Sequence, residues 1–194
     1  AAAIISALVP PGILWGDEPH GYDVVEYHFQ LPRGWYELGR ITPLHHNAFS
    51  YFPLNVEMHY LLAMQLKAGP WRGMYLAQLM HVAFIALTVL AVYATARQFA
   101  AKLPSMFAAM SAAAVPWLFM LAPVAYNEGG LLLFGTLAIG WTLRAESTRD
   151  WIIAGVFAGF ACGTKLTAVP LVLLIVPLGA VLAFRRREIF RGCA

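Results

Sequence analysis

Charge is what this sequence has least of. Asp, Glu, Lys and Arg make up 12% of its 194 residues, against roughly 25% in a soluble globular domain. Hydrophobic residues make up 60%, and they lie in long uninterrupted runs, as transmembrane helices require. That combination excludes an ordinary soluble domain. The net charge of +3, with no basic stripe interleaved with aromatics, excludes nucleic acid as a partner. Cysteine is also scarce. Cys162 in an apolar run and Cys193 in the tail build neither a disulfide framework nor a cysteine metal site. No solenoid-type repeat and no low-complexity tract is visible. The opening "AAAIISALVPPGILW" lacks the Met and the charged region of a signal peptide and reads as the latter part of a membrane helix. The tail "RRREIFRGCA" directly follows an apolar run. Both ends read as cut, so the expectation is a fragment of a longer membrane protein.

Four units are expected: a truncated first transmembrane helix over 1–15, a mixed polar and aromatic segment over 16–72, a bundle of about five spans over 73–184, and a basic tail over 185–194. A span needs about 20 apolar residues at 1.5 Å rise each. The runs 73–96, 103–126 and 130–143 are read as spans, and 151–184 as two short spans parted by a turn at Gly163 to Lys165. Pro116 and Pro123 fall inside the second, which membrane helices tolerate when neighbours re-satisfy the freed carbonyls. Along alternate loops, Arg97, Lys102, Arg144, Arg149, Arg185, Arg186, Arg187 and Arg191 fall on one side, which the positive-inside rule makes cytoplasmic. Seven of the ten acids and five of the six histidines fall on the other.

Those acids are concentrated. "GDEPHGYDVVEYHFQLPR", Gly16 to Arg33, holds four carboxylates, two histidines and two tyrosines. Read as a helix ended by Pro32, it places Asp23, Glu26, Tyr27 and Gln30 on one face and Val24, Val25, His28 and Phe29 on the other. Such a helix lies at the membrane surface with its carboxylates at headgroup level. Two neighbouring acids in a partly dry cleft suit general-base work; the plainer reading is that they solvate a loop or cap helices. His45, His46, His28 and His59 could supply metal ligands, but no His pair has the spacing of a helical zinc motif. His81, inside a span, is expected to hydrogen-bond a neighbouring helix. Glu128 opens a helix, where the dipole favours a carboxylate. Met58, Met64, Met74 and Met80 read as packing.

"YDVVEYHFQLP", then "GR", a polar loop and "FPLNVEM", resembles the first extracytoplasmic loop of bacterial membrane glycosyltransferases of the GT-C fold, family 39 type, related to protein O-mannosyltransferases and aminoarabinose transferases. Asp23, Tyr27, His28 and Pro32 stand where that family has an acid, a Tyr-His pair and a proline. Phe52, Pro53, Leu54 and Glu57 stand for its Pro-Pro-Leu-x-x-Glu element, with Phe in place of the first Pro. "NEGGLLLF" and "GFACGTKLTA" match its acid-opened helix and its Gly-Thr-Lys turn.

The resemblance implies an all-α, polytopic helix bundle with a long extracytoplasmic loop of short amphipathic helices. It implies transfer of a sugar from a polyprenyl-phosphate donor to an acceptor hydroxyl, with inversion, in a multi-pass protein of the bacterial inner membrane whose partners are that donor and membrane lipid. Asp23 is the leading base; Asp17, whose "DE" pair with Glu18 is similar to that of O-mannosyltransferases, is the alternative, and Glu26 comes third. Lys165 is the preferred cation for the leaving phosphate, with snorkelling to the interface as its plainer role. Arg40 and Arg72 are weaker phosphate candidates. Glu18, His28, Glu57 and Glu128 are candidate substrate contacts. No cofactor is assigned, and a divalent cation stays open. The competing class is a transporter or flippase, which would line a path through the bundle with its charges. A structural membrane subunit would have no need to group its acids.

Overall fold

In the computed structural model, residues 1–11 and 21–170 are described, with positions 177, 179 and 181 beyond them. Asp17, Glu18 and the tail lie outside the described residues. All the regular structure described is helical: α1 (Ala2–Ser6), a π-helical turn (Val24–His28), α2 (Gln30–Leu38), a 3-10 turn (Ala48–Tyr51), α3 (Asn55–Leu66), α4 (Pro70–Ala96), α5 (Lys102–Ala113), α6 (Pro116–Leu121), α7 (Glu128–Arg144) and α8 (Thr148–Thr164). The all-α expectation holds for these residues.

Among the described residues α4, at 27 residues, is the one helix long and apolar enough to cross a membrane. α7 and α8 have 17 residues each, the short end of what spans. The run expected as one span over 103–126 is two helices, because Pro116 has no N–H to continue α5 and instead opens α6 at its first position. α1 ends at Ser6, residues 12–15 of the expected first span lie outside the described residues, and the carbonyls of Ala7 and Val9 accept from Gln78 Nε2 at 2.7 and 3.0 Å. The turn expected at Gly163 to Lys165 comes slightly later, since α8 runs to Thr164 and Lys165 is its cap.

Helix direction sorts the charges. Gly129 N–H donates to His81 Nε2 at one end of the α4–α7 contact, and Gln98 Nε2 donates to the Gly140 carbonyl at the other. α4 and α7 therefore run parallel, and α8 returns antiparallel after the short link at Ala145–Ser147. Arg97, Arg144 and Arg149 lie at one end of this assembly, and Glu128 and Lys165 at the other. Glycines permit the close approaches: a Cβ on Gly73 would stand 2.5 Å from Met64 Cα, and one on Gly130 would stand 2.3 Å from Val56 Cγ2, as expected where backbones pack tightly.

The core sits under the acid end. Val24, Phe29, Val56, Tyr60, Met64, Ala77 and Val124 pack together, with Met74 and Met80 against them. Tyr27, Leu31, Trp35 and Leu44 form a second cluster that includes Met58 at its edge, so all four methionines singled out from the sequence pack.

Candidate active site

The segment Tyr22–Gln30 is not a regular α-helix. Phe29 N–H donates to the Val24 carbonyl five residues back, at 2.8 Å, so the turn is widened and the expected faces shift. Tyr27 leaves the acid face and is buried, while Val25 is 55% exposed. The chain also does not stop at Pro32. The proline falls in the first turn of α2, where a missing N–H costs no intrahelical bond, and α2 ends at Gly39, whose left-handed φ of 66° closes the helix. Asn47 Nδ2 donates to the Glu26 carbonyl at 3.0 Å and ties the following loop to the widened turn.

This geometry presents His28 inward. Its Nδ1 lies 2.5 Å from Glu57 Oε1, with both side chains fully buried. Glu57 comes from the first turn of α3, and Tyr60, one turn on, donates its hydroxyl to the Tyr126 carbonyl, fixing α3 against the segment that leads into α7. Asn127 precedes α7 at the position where Asn normally caps, yet its side chain makes no cap. Its Nδ2 donates to Glu57 Oε1 at 3.4 Å and to the Thr164 carbonyl at 3.3 Å. Next to Asn127, Glu128 Oε1 accepts from Lys165 Nζ at 2.6 Å. His28, Glu57, Asn127, Thr164, Lys165 and Glu128 are thus one contiguous network contributed by four parts of the chain.

Asp23 joins through Tyr27. The Tyr27 hydroxyl donates to Asp23 Oδ2 at 3.4 Å, and the tyrosine ring lies 4.0 Å from that of His28, centroid to centroid. Burial holds the Tyr27 phenol well above its ordinary range, with Asp23, Glu128 and Glu57 adding to the effect. Three carboxylates from separate elements therefore act electrostatically on one phenol. For Glu128, burial pushes the carboxyl up, but the ammonium of Lys165 bonded to it outweighs burial and holds it below the usual range.

Four buried polar atoms of this network have no partner among the described residues: His28 Nε2, Glu57 Oε2, Asn127 Oδ1 and Glu128 Oε2. A buried polar group without a hydrogen bond is costly, so their gathering in one place marks the site. A cavity of about 510 Å³ has walls that include Trp35, Pro43, Phe52, Asn55, Phe160 and Gly163, none of them a member of the network. Asn55 Nδ2 donates to the Phe160 carbonyl at 3.2 Å, bridging α3 to α8.

The structure brings Asp23, His28, Glu57, Glu128 and Lys165 together. Glu26 is half-buried on the same turn and outside the network. Arg40 and Arg72 are exposed and stand apart. His45 and His46 are exposed in the loop, with His45 Nδ1 3.1 Å from the Tyr51 hydroxyl, and His59 Nδ1 lies 2.9 Å from the Asn55 carbonyl. Among the described residues no three His, Cys, Asp or Glu side chains are grouped to hold a metal ion. His81 bridges helices as expected: Nδ1 pairs with the Ala122 carbonyl at 3.1 Å and Nε2 accepts from Gly129 N–H at 3.0 Å. Sequence reasoning passed over Asn127. Its signal was weak, an Asn directly before a helix-opening acid, which ordinarily reads as a cap.

A family model described as dolichyl-phosphate-mannose-protein mannosyltransferase matches residues 60–192, more than half of the chain. The chain belongs to that family of membrane-bound glycosyltransferases. The matched stretch includes Asn127, Glu128 and Lys165; Asp23, His28 and Glu57 precede it. No curated protein and no solved structure matches the chain.

Proposed function

We propose that this chain carries the donor and base side of a polytopic membrane glycosyltransferase. It moves a sugar, mannose on the family's description, from a polyprenyl-phosphate carrier to an acceptor hydroxyl on the extracytoplasmic face of a bacterial inner membrane. The observation that carries the reading is the joining of Asp23, Glu57, Glu128 and Lys165 at one end of the helices. Acids lining a path through the bundle would have favoured transport. The basic residues Arg97, Arg144 and Arg149 at the opposite end support placing that end in the cytoplasm. α4 is then a full span, the apolar stretches of α7 and α8 between their charged ends form a short hairpin of spans, and α5 with α6 is a broken one.

The chemistry follows from the groups. The acceptor hydroxyl gives its proton to Asp23, whose Tyr27 partner orients the carboxylate. The freed oxygen attacks the anomeric carbon as the bond from that carbon to the phosphate oxygen breaks on the opposite face, so the configuration inverts. Polyprenyl phosphate leaves with added negative charge, which Lys165 neutralises once it exchanges Glu128 for the phosphate. The cavity of about 510 Å³ lined in part by Trp35, Phe52 and Phe160 offers apolar wall of the kind a prenyl chain needs.

The test follows transfer from labelled mannosyl polyprenyl phosphate in membranes holding the full-length protein. Asp23→Asn is expected to lower turnover by about 100-fold or more, the lower part of a general base's share. Loss with Asp17→Asn alone moves the base to Asp17 and keeps the class. Unchanged turnover in both removes the base assignment, and a parent that transfers from no donor brings transport forward.

A further inference from the structure

We propose that His81 is a positioning residue of the transfer site: its imidazole holds the first peptide unit of α7 and thereby sets the Glu128 carboxylate against Lys165. This rests on the glycosyltransferase reading above and adds to it a residue that touches neither sugar nor phosphate.

His81 stands near the middle of α4 and is fully buried. An ionisable side chain inside a span is costly and marks a functional position by default. Both of its partners are backbone groups, which cannot exchange roles. Gly129 N–H only donates, so the Nε2 atom 3.0 Å from it holds a lone pair. The Ala122 carbonyl only accepts, so the Nδ1 atom 3.1 Å from it carries the hydrogen. The ring is therefore neutral and in one tautomer, with both nitrogens occupied.

The identity of those partners gives the role. Gly129 is the second residue of α7, and its N–H is one of those that a helix start leaves without an internal acceptor. The peptide unit it belongs to begins at Glu128 Cα, and Glu128 Oε1 accepts from the Lys165 ammonium at 2.6 Å. Ala122 caps the end of α6. One imidazole thus pins both ends of the stretch 122–129. That stretch also carries the Tyr126 carbonyl, bonded by Tyr60, and the Asn127 amide, bonded to Glu57. The approach depends on glycine, because a Cβ on Gly129 would stand 2.8 Å from His81 Nε2 and 3.1 Å from Phe84 Cβ. Lys165 must leave Glu128 for the donor phosphate, so a shift of Glu128 by an ångström is felt where the donor binds.

The experiment measures KM and kcat for mannosyl polyprenyl phosphate with the full-length protein in membranes, in the parent and in His81→Gln, His81→Asn and His81→Leu. The Gln side chain brings Oε1 to the place of the imidazole Nε2 and keeps an acceptor for Gly129 N–H. Asn keeps only a donor at the place of Nδ1, and Leu keeps neither. Donor KM should rise about 10-fold in His81→Leu and His81→Asn and stay within about twofold of the parent in His81→Gln. In a Glu128→Gln background His81→Leu should add less than about twofold, because the carboxylate it places is gone. KM is read on the fraction that folds, so lost stability does not imitate this pattern. If His81→Leu yields no folded protein, the comparison of His81→Gln with His81→Asn decides alone. Equal KM values in those two variants overturn the assignment and leave His81 a packing bridge. So does a His81→Leu effect of full size in the Glu128→Gln background. Either result in a parent that transfers sugar leaves the glycosyltransferase reading standing. A parent that transfers no sugar overturns that reading, and this assignment with it.

Discussion

Asp150 and Glu57 are carboxylates near opposite ends of the helical assembly, and their surroundings differ in kind. Asp150 stands in the first turn of α8, and its Oδ2 accepts from Glu146 N–H, Ser147 N–H and the Ser147 hydroxyl at 3.0, 3.1 and 3.0 Å. Every partner lies within four residues, forming a capping box that starts a helix. Glu57 is fully buried and draws its partners, His28 and Asn127, from 29 and 70 residues away. One of its oxygens has none among the described residues. A carboxylate satisfied by its own backbone has finished its task when the chain folds. One that is buried, held from afar and half satisfied is set for something that arrives later.

The largest expected effect tests that contrast directly. Glu57→Ala leaves His28 and Asn127 without their shared acceptor in a dry interior and should cost about 3–5 kcal/mol, the usual penalty for breaking a buried pair from one side. Thermal unfolding in detergent would read it, with transfer abolished in parallel. Asp150→Ala should leave transfer intact. Equal losses of transfer in the two variants would erase the distinction between the two ends.

A second pair of substitutions sharpens the comparison through packing. Gly130 stands at the acid end, where a Cβ would fall 2.3 Å from Val56 Cγ2, while nothing lies within 4 Å of a Cβ on Gly159. Gly130→Ala should destabilise by about 1–3 kcal/mol, since α3 and α7 must part to admit the methyl. Gly159→Ala should instead stabilise by about 0.5–1 kcal/mol, through helix propensity alone. The same unfolding measurement gives both signs.

Ser147→Ala removes the other half of the α8 capping box and should cost about 1 kcal/mol, with no change in donor KM. A shift in KM would mean that the two ends are coupled through the α7–α8 hairpin.

The contrast also explains what could be read from the residues alone. α4, α7 and α8 follow from apolar runs bounded by charge, and Pro116 marks the break between α5 and α6 as plainly as any residue does. Asp23, Glu57, Glu128 and Lys165 could each be named from motif and topology. Their pairing could not, because His28–Glu57 and Glu128–Lys165 are long-range contacts with no periodic trace. The widened turn at Val24–His28 also defeats a 3.6-residue template: the face read as apolar carries the histidine that anchors the site, and Tyr27 moves inward from the acid face. Asn127 was hidden by its position, where a cap is the default reading and the side chain turns elsewhere.

The smallest effect separates two carboxylates whose pKa values are both depressed. Backbone N–H groups at the α8 cap lower that of Asp150 from 3.8. For Glu128 the ordinary value is 4.5, burial opposes ionisation, and Lys165 overcomes burial. A depressed carboxyl stabilises the fold fully above its unfolded pKa, and the contribution is lost as pH falls through the folded one. Both groups should therefore weaken the protein on acidification, Glu128 below about pH 4.5. Lys165→Met separates them. Without the ammonium, burial acts on Glu128 against only the helix-end backbone N–H and the neighbouring His28, so its pKa rises and its contribution to the acid limb shrinks. The Glu128 part of the acid limb, taken as the difference from a Glu128→Gln background, should thus shrink in Lys165→Met, while the Asp150 part stays as it is. A difference curve unchanged without Lys165 would mean that something other than this ion pair holds Glu128 ionised, and the exchange of Glu128 for phosphate would lose its basis.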